Sequence, residues 1–173
     1  AGYGLDKAIF GYGETSGIVS LTNLVSSSGV VATDTTGVGT ARNSISAASY
    51  GTDKAIFGYG TTGSNVSMTN LVSNSGVVAT DVTGVGTARR ELAAASYGTD
   101  KVIFGYGYDG SSYVSMTNLA SNSGVVATDV TGVGTARRYI AAVKYGTDTA
   151  IFGYGDTGSK VSMTNLVSNV GVV

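Results

Sequence analysis

Histidine, cysteine, tryptophan and proline are all absent from this chain of 173 residues. Without cysteine there is neither a disulfide nor a thiolate nucleophile, so cysteine usage carries no mark of a redox compartment. Without cysteine and histidine the ordinary zinc, copper and haem sites are excluded. So are the Ser-His-Asp and Cys-His arrangements of hydrolases. Charge is scarce too: charged residues make up 12 % and the net charge is −1. A nearly neutral chain with scattered lysines and arginines exerts no pull on nucleic acid or anionic lipid. No apolar run reaches the length of a membrane span, and no secretory signal opens the chain. This fits a mature chain, an internal piece of a longer product, or a product exported without a cleaved leader.

What is abundant is glycine, 27 residues, together with serine, threonine and asparagine, and it is laid out in copies. Phe-Gly-Tyr-Gly stands at Phe10, Phe57, Phe104 and Phe152, at spacings of 47, 47 and 48. Thr-Asn-Leu follows at Thr22, Thr69, Thr117 and Thr164, and Gly-Val-Val-Ala-Thr-Asp at Gly29, Gly76 and Gly124. A period of this length without gaps is the mark of a repeat architecture. In the second copy, Lys54 to Gly60 is a short apolar run ending in glycines, which predicts a strand buried on both faces. Val66 to Val72 opens with strict alternation and predicts a second strand. Val77 to Thr83 is β-branched and predicts a third. Arg89 to Tyr97 is rich in alanine. Its counterpart Ser44 to Ala48 has no helical character, so the segment is read as a strand of small residues.

Four short strands per repeat of about 47 residues predict an all-β fold of β-propeller-type blades, each of four antiparallel strands. Blades crowd near a central axis, which accounts for small side chains on the innermost strand. A β-solenoid and a trimeric β-fibre are the alternatives. The expected organisation is a single repeat domain over 1–173, with a partial blade at 1–41, blades at 42–88 and 89–136, and a partial blade at 137–173. About 3.7 copies fall short of the roughly 4–8 blades that close a propeller. Further repeats of a longer chain, or further copies of the same chain, are therefore expected as partners.

Started at the Ala-rich strand, the copy reads Ala88-Arg89, then Tyr97-Gly98, then Asp100-Lys-Val-Ile-Phe-Gly-Tyr-Gly107, then Val114 to Asn118, then Gly124-Val-Val126. This resembles a kelch repeat: an arginine ahead of the first strand, Tyr-Gly at its end, and a hydrophobic strand closing on two glycines. The strings TNLVSNSGVVATD and TGVGTAR also look like repeats of phage tail-fibre and appendage proteins. The resemblances imply a propeller fold and a structural or receptor-binding part at a virion or extracellular surface.

Three sets of charged residues recur, and one group of tyrosines does not. Asp53, Asp100 and Asp148 (with Asp6), Asp34, Asp81 and Asp129, and Arg42, Arg89 and Arg137 hold fixed repeat positions. Rings of such groups could bind calcium or an anion. A scaffold needs the same contact in every copy, whereas a site needs one constellation, so these residues are read as structural and no metal is assigned. The Gly-x-G turns at Gly11 and Gly37 precede no helix, so they are packing glycines rather than a phosphate cradle. Of the 11 tyrosines, Tyr108, Tyr113 and Tyr139 are unique to one copy. Tyr108-Asp109-Gly110-Ser111-Ser112-Tyr113 also holds the one extra residue of the longer spacing. Tyrosine beside aspartate and serine on an exposed turn suits stacking on a sugar ring and bonding its hydroxyls. Arg90, Glu91 and Arg138 vary in the same manner. No nucleophile elbow, phosphate-binding loop or metalloprotease motif occurs. The expectation is a non-enzymatic structural or recognition module that needs no cofactor, binding a glycan or protein receptor through Tyr108, Asp109, Ser111, Ser112 and Tyr113. The alternatives are a self-assembling scaffold without ligand and a carbohydrate-active enzyme on a propeller.

Overall fold

A computed structural model describes residues 1–173. The chain is all-β, without a helix, and its 12 strands form four separate three-stranded sheets. The first sheet holds β1 (Gly2–Tyr3), β2 (Lys7–Glu14) and β3 (Ile18–Val25). The second holds β4 (Ser46–Tyr50), β5 (Lys54–Gly58) and β6 (Thr69–Val72). The third holds β7 (Ala93–Tyr97), β8 (Lys101–Tyr108) and β9 (Tyr113–Ala120). The fourth holds β10 (Ala141–Tyr145), β11 (Thr149–Gly153) and β12 (Thr164–Val167). Each is an antiparallel meander in chain order, and none closes on itself. No helix is long and apolar enough to cross a membrane.

Local chemistry explains the elements. Gly51 and Thr52 both take positive φ, 57° and 69°, the twist that folds β4 back onto β5 in a tight hairpin. After Lys54 the middle strand β5 is apolar because both of its faces are covered: Ala55, Ile56 and Phe57 are all buried. At its end comes a tyrosine in the left-handed region. Tyr12, Tyr59, Tyr106 and Tyr154 have φ of 63°, 63°, 64° and 62°, a conformation that costs a non-glycine residue about 1–2 kcal/mol. It bulges the strand, with register shifts at Gly11/Gly13 and Gly105/Gly107. In each of the first three sheets the ring packs against the next sheet.

The core lies between sheets rather than within one. Tyr12 meets Phe57, Tyr59 meets Phe104 and Tyr106 meets Phe152, with ring centroids 5.1–5.2 Å apart. Ile9 and Val72 join the first of these layers, Val102 and Ala120 the second, Ile103 and Val167 the third. Each buried phenylalanine contributes roughly 1.5–3 kcal/mol. It needs glycine beneath it: a Cβ on Gly58 would stand 2.9 Å from the Phe104 ring, and one on Gly105 2.7 Å from Phe152. The Ala-rich strands of successive sheets stand side by side. Ser49 Oγ donates to Gly2 O at 2.9 Å, and Ser96 Oγ to Ser49 O at 2.7 Å. Small side chains are what permit that approach.

The sheets have three strands where the sequence predicts four. Val77 to Thr83 runs beside β6 but touches it only at isolated bridges, Val72↔Val78 and Thr69↔Val82. Between them the Asn70 side chain inserts, its Nδ2 donating to Ala79 O at 3.0 Å and to Asp81 Oδ1 at 2.9 Å. A side-chain amide thus replaces part of the backbone ladder, and Asn23 and Asn118 do the same in the first and third sheets. The predicted strand from Val66 is also shorter, starting at Thr69, because after the Tyr59 bulge only the isolated Thr61↔Asn65 bridge closes the hairpin.

Candidate functional site

Two kinds of polar cluster stand out, one repeated and one unique. The repeated one is built on Arg42, Arg89 and Arg137, all wholly buried. Arg42 leaves the connector between the first two sheets and lies 4.4 Å from the Tyr12 ring centroid. Its Nε donates to Tyr59 O at 2.9 Å, Nη2 to Asn70 Oδ1 at 2.6 Å and Nη1 to Thr40 O at 3.1 Å. Arg89 repeats this over Tyr59, donating to Tyr106 O, and Arg137 over Tyr106, donating to Tyr154 O. At the third sheet two of the corresponding atoms, Arg89 Nη2 and Asn118 Oδ1, have no partner. Burial pushes the Arg42 and Arg89 pKa values down, against the pull of tyrosine and aspartate, Asp81 at 3.9 Å and Asp129 at 4.0 Å.

The recurrent aspartates join the same framework. Asp81 accepts from Thr40 N and Oγ1, and Asp129 from Thr87 N and Oγ1. Desolvation works against both charges, but these bonds and the asparagine bond outweigh it and hold both carboxyls below their ordinary pKa. Asp34 accepts from Asn23 at 2.8 Å. Asp53, Asp100 and Asp148 offer their backbone carbonyls to Gly4, Gly51 and Gly98 of the preceding sheet, at 2.6–2.7 Å. No group of three or more acidic side chains comes together as a metal ligand set. These residues bond one another and the backbone, which is geometry for joining sheets.

The unique cluster sits at the hairpin end of the third and fourth sheets. Tyr108 closes β8 and Tyr113 opens β9. They face each other across the hairpin with ring centroids 5.9 Å apart. Asp109 shapes the turn: its Oδ1 accepts from the backbone N–H of Ser111 and of Ser112, each at 2.8 Å. Tyr108 donates its hydroxyl to Gly110 O. The hydroxyls of Ser111 and Ser112 stand on an exposed turn.

Stacking of the sheets brings distant residues to this hairpin. The segment starting β10 carries Arg138, whose guanidinium carbon lies 5.0 Å from the Tyr113 ring centroid, 5.7 Å from Tyr108 and 4.7 Å from Tyr139. Arg90 lies 5.0 Å from Tyr108. Glu91 joins the two arginines, accepting from Arg138 Nη1 at 2.9 Å and from Arg90 Nε at 3.2 Å. Desolvation opposes the charge on Arg138, but the Glu91 hydrogen bond and charge prevail and raise its pKa. Asn65 accepts from Arg90 and donates to Tyr108 O. Lys160 pairs with Asp156 at 2.6 Å and lies 5.8 Å from Tyr139. Hydrogen bonding to Lys160 holds the Asp156 carboxyl below its ordinary pKa.

The structure thus places Tyr108, Asp109, Ser111, Ser112 and Tyr113 on one turn and adds Arg90, Glu91, Arg138 and Tyr139 to it. Asn65, Asp156 and Lys160 were not singled out in the sequence. The signal was there: Asn65 and Lys160 hold the Tyr113 position in their copies, and Asp156 holds the Tyr108 position. The result is a polar surface with tyrosine rings, cations and hydroxyls in reach of one another, and Tyr139 is 56 % exposed. Such a surface can stack on one face of a pyranose and hydrogen-bond its edges. No protein-family model matches the chain, and no curated protein matches it significantly.

Proposed function

We propose that this chain is a non-enzymatic recognition module that binds a glycan through the surface around Tyr108, Tyr113, Arg138 and Tyr139. The observation that carries this reading is convergence. Residues that differ from their counterparts in the other copies, Asn65, Arg90, Glu91, Tyr108, Tyr113, Arg138 and Tyr139, meet at the hairpin end, while the shared arginines, phenylalanines and Gly-Tyr-Gly tyrosines form the joints between sheets. On this reading the scaffold is a run of propeller-type blades. Support comes from the face-to-face stacking of sheets with their Ala-rich strands adjacent, the segment after the third strand standing for a reduced outer strand. A part in an extracellular or virion appendage fits a repeat scaffold that carries one differentiated patch.

The test is a glycan array followed by titration of the best ligand against the intact chain and against Tyr139→Ala and Tyr113→Ala. Loss of a stacked ring is expected to weaken binding at least about tenfold, equivalent to about 1.4 kcal/mol. Full affinity in the double variant, with the fold intact by circular dichroism, would overturn the assignment.

A further inference from the structure

The three internal joints show what covers a sheet face, and the two outermost faces carry the unfilled halves of the same joint. In each joint a phenylalanine of the following sheet sits on a glycine and a tyrosine of the preceding one. Phe57, Phe104 and Phe152 are 0–2 % exposed, whereas Phe10 is 62 % exposed. Tyr59 and Tyr106 are fully buried, whereas Tyr154 is 63 % exposed. At Gly153 a Cβ would meet only Thr164, at 3.6 Å, with no phenylalanine above it. Instead there is a cavity of about 160 Å³ lined by Ala142, Val143, Ile151, Gly153 and Tyr154.

Two further features agree. Gly76, Gly124 and Gly171 press on a leucine and a tyrosine of the preceding sheet, Leu24 and Tyr3 in the first case. Their counterpart Gly29 touches nothing, and the matching Leu166 and Tyr145 of the fourth sheet are 59 % and 43 % exposed. Gly4, Gly51 and Gly98 each donate a backbone N–H to the aspartate carbonyl of the following sheet. The Gly146 N–H and the Asp6 carbonyl, which hold these positions on the outer faces, have no such partner.

We infer that the Tyr154 face of the fourth sheet docks the Phe10 face of the first sheet of a second copy of this chain. Phe10 enters the cavity over Gly153, Gly29 covers Tyr145 and Leu166, and Gly146 N–H donates to Asp6 O. The two faces differ, so association is head to tail and yields a ring if the rotation closes and a filament if it does not.

Sedimentation velocity on the 173-residue chain, from about 1 to about 100 µM, tests this in the range where protein contacts of modest strength form. The expected result is a dimer or larger assembly that dissociates on dilution. Phe10→Glu removes one half of the joint at an exposed position. Gly153→Val fills the cavity at a position where a Cβ has ordinary room. Each variant alone is expected to be monomeric, and an equimolar mixture to form a one-to-one complex through the remaining intact pair of faces. A wild-type chain that stays monomeric throughout the range, assembly insensitive to both substitutions, or a mixture that forms no complex would each overturn the inference.

Discussion

Arg89 and Arg90 are neighbours in the chain and belong to different parts of the molecule. Arg89 is wholly buried in a joint between sheets, fixed by Tyr106 O and stacked on Tyr59. Arg90 lies at the hairpin surface, between Glu91, Asn65 and the Tyr108 ring. The first has counterparts in Arg42 and Arg137, while the second gives way to asparagine at Asn43. Burial separates them. A guanidinium without water depends on fixed acceptors, here Tyr106 O for Arg89 Nε and Thr87 O for Nη1, so its place in the joint is set by the backbone around it. A guanidinium at the surface can lose its partners to water, so that position is free to change and to acquire a ligand.

The sharpest break in this comparison is Arg89→Ala. It leaves the Tyr106 carbonyl without its donor and opens a hole beside Tyr59. A loss of about 3–5 kcal/mol is expected, as for removal of one partner from a buried charged network, read from urea denaturation. A loss below about 1 kcal/mol, the value of an exposed pair, would erase the distinction between the two regions.

Alkaline pH gives a smaller effect on the same joints. Burial raises the Tyr59 hydroxyl to about 12, with the nearby Arg89 working against the shift. Burial raises Tyr12 and Tyr106 in the same direction. For an acid whose folded pKa exceeds its unfolded value, the neutral form is favoured by folding. The contribution is therefore complete below the unfolded pKa near 10 and is lost as pH rises towards 12. A fall of the order of 2 kcal/mol across that window is expected from linkage. Tyrosinate absorbance should report the buried joints ionising together with unfolding. A stability that does not fall between these pH values would remove the joints from the account.

The smallest effect belongs to the surface. Arg90→Ala should change stability by about 1 kcal/mol, well below Arg89→Ala, since the Arg90 side chain keeps 30 % exposure to water and Glu91 keeps its bond to Arg138. The same urea series measures it beside Arg89→Ala. A destabilisation as large as that of Arg89→Ala would make the hairpin patch a structural joint and count against the proposed recognition role.

Much of the fold was legible because each local signal agreed with the repeat. Apolar runs such as Ala55 to Phe57 became central strands, and Gly-Thr-Asp became the hairpin turn. The Ala-rich segment became a strand beside its counterparts. The fourth strand was not legible. Val77 to Thr83 has β-branched composition, but Asn70 competes for its backbone groups, and that competition depends on where the asparagine side chain points. The Tyr of Gly-Tyr-Gly likewise reads as an ordinary strand residue. Its left-handed conformation belongs to the bulge in every copy, since Tyr154 at φ 62° has it with no phenylalanine or arginine on its ring, and the side-chain pattern of the strand does not register it. For the candidate site, the odd tyrosines and the extra residue marked the Tyr108–Tyr113 turn. The approach of Arg138 to that turn, and of Asn65 to Tyr108, joins residues 25 to 43 positions apart, and only sheet stacking creates it.

The sequence by itself determined the all-β class, the period, the turns and the exclusion of histidine and cysteine chemistry, because these follow from residue types and their spacing. The tertiary structure alone decided that the shared arginines lie inside joints, that Tyr108, Tyr113 and Tyr139 meet Arg90, Glu91 and Arg138 on one surface, and that Phe10 and Tyr154 stay exposed on the outermost faces. Those outcomes depend on which side chains neighbouring sheets present to each other. That is a property of packing between copies, and no single copy encodes it.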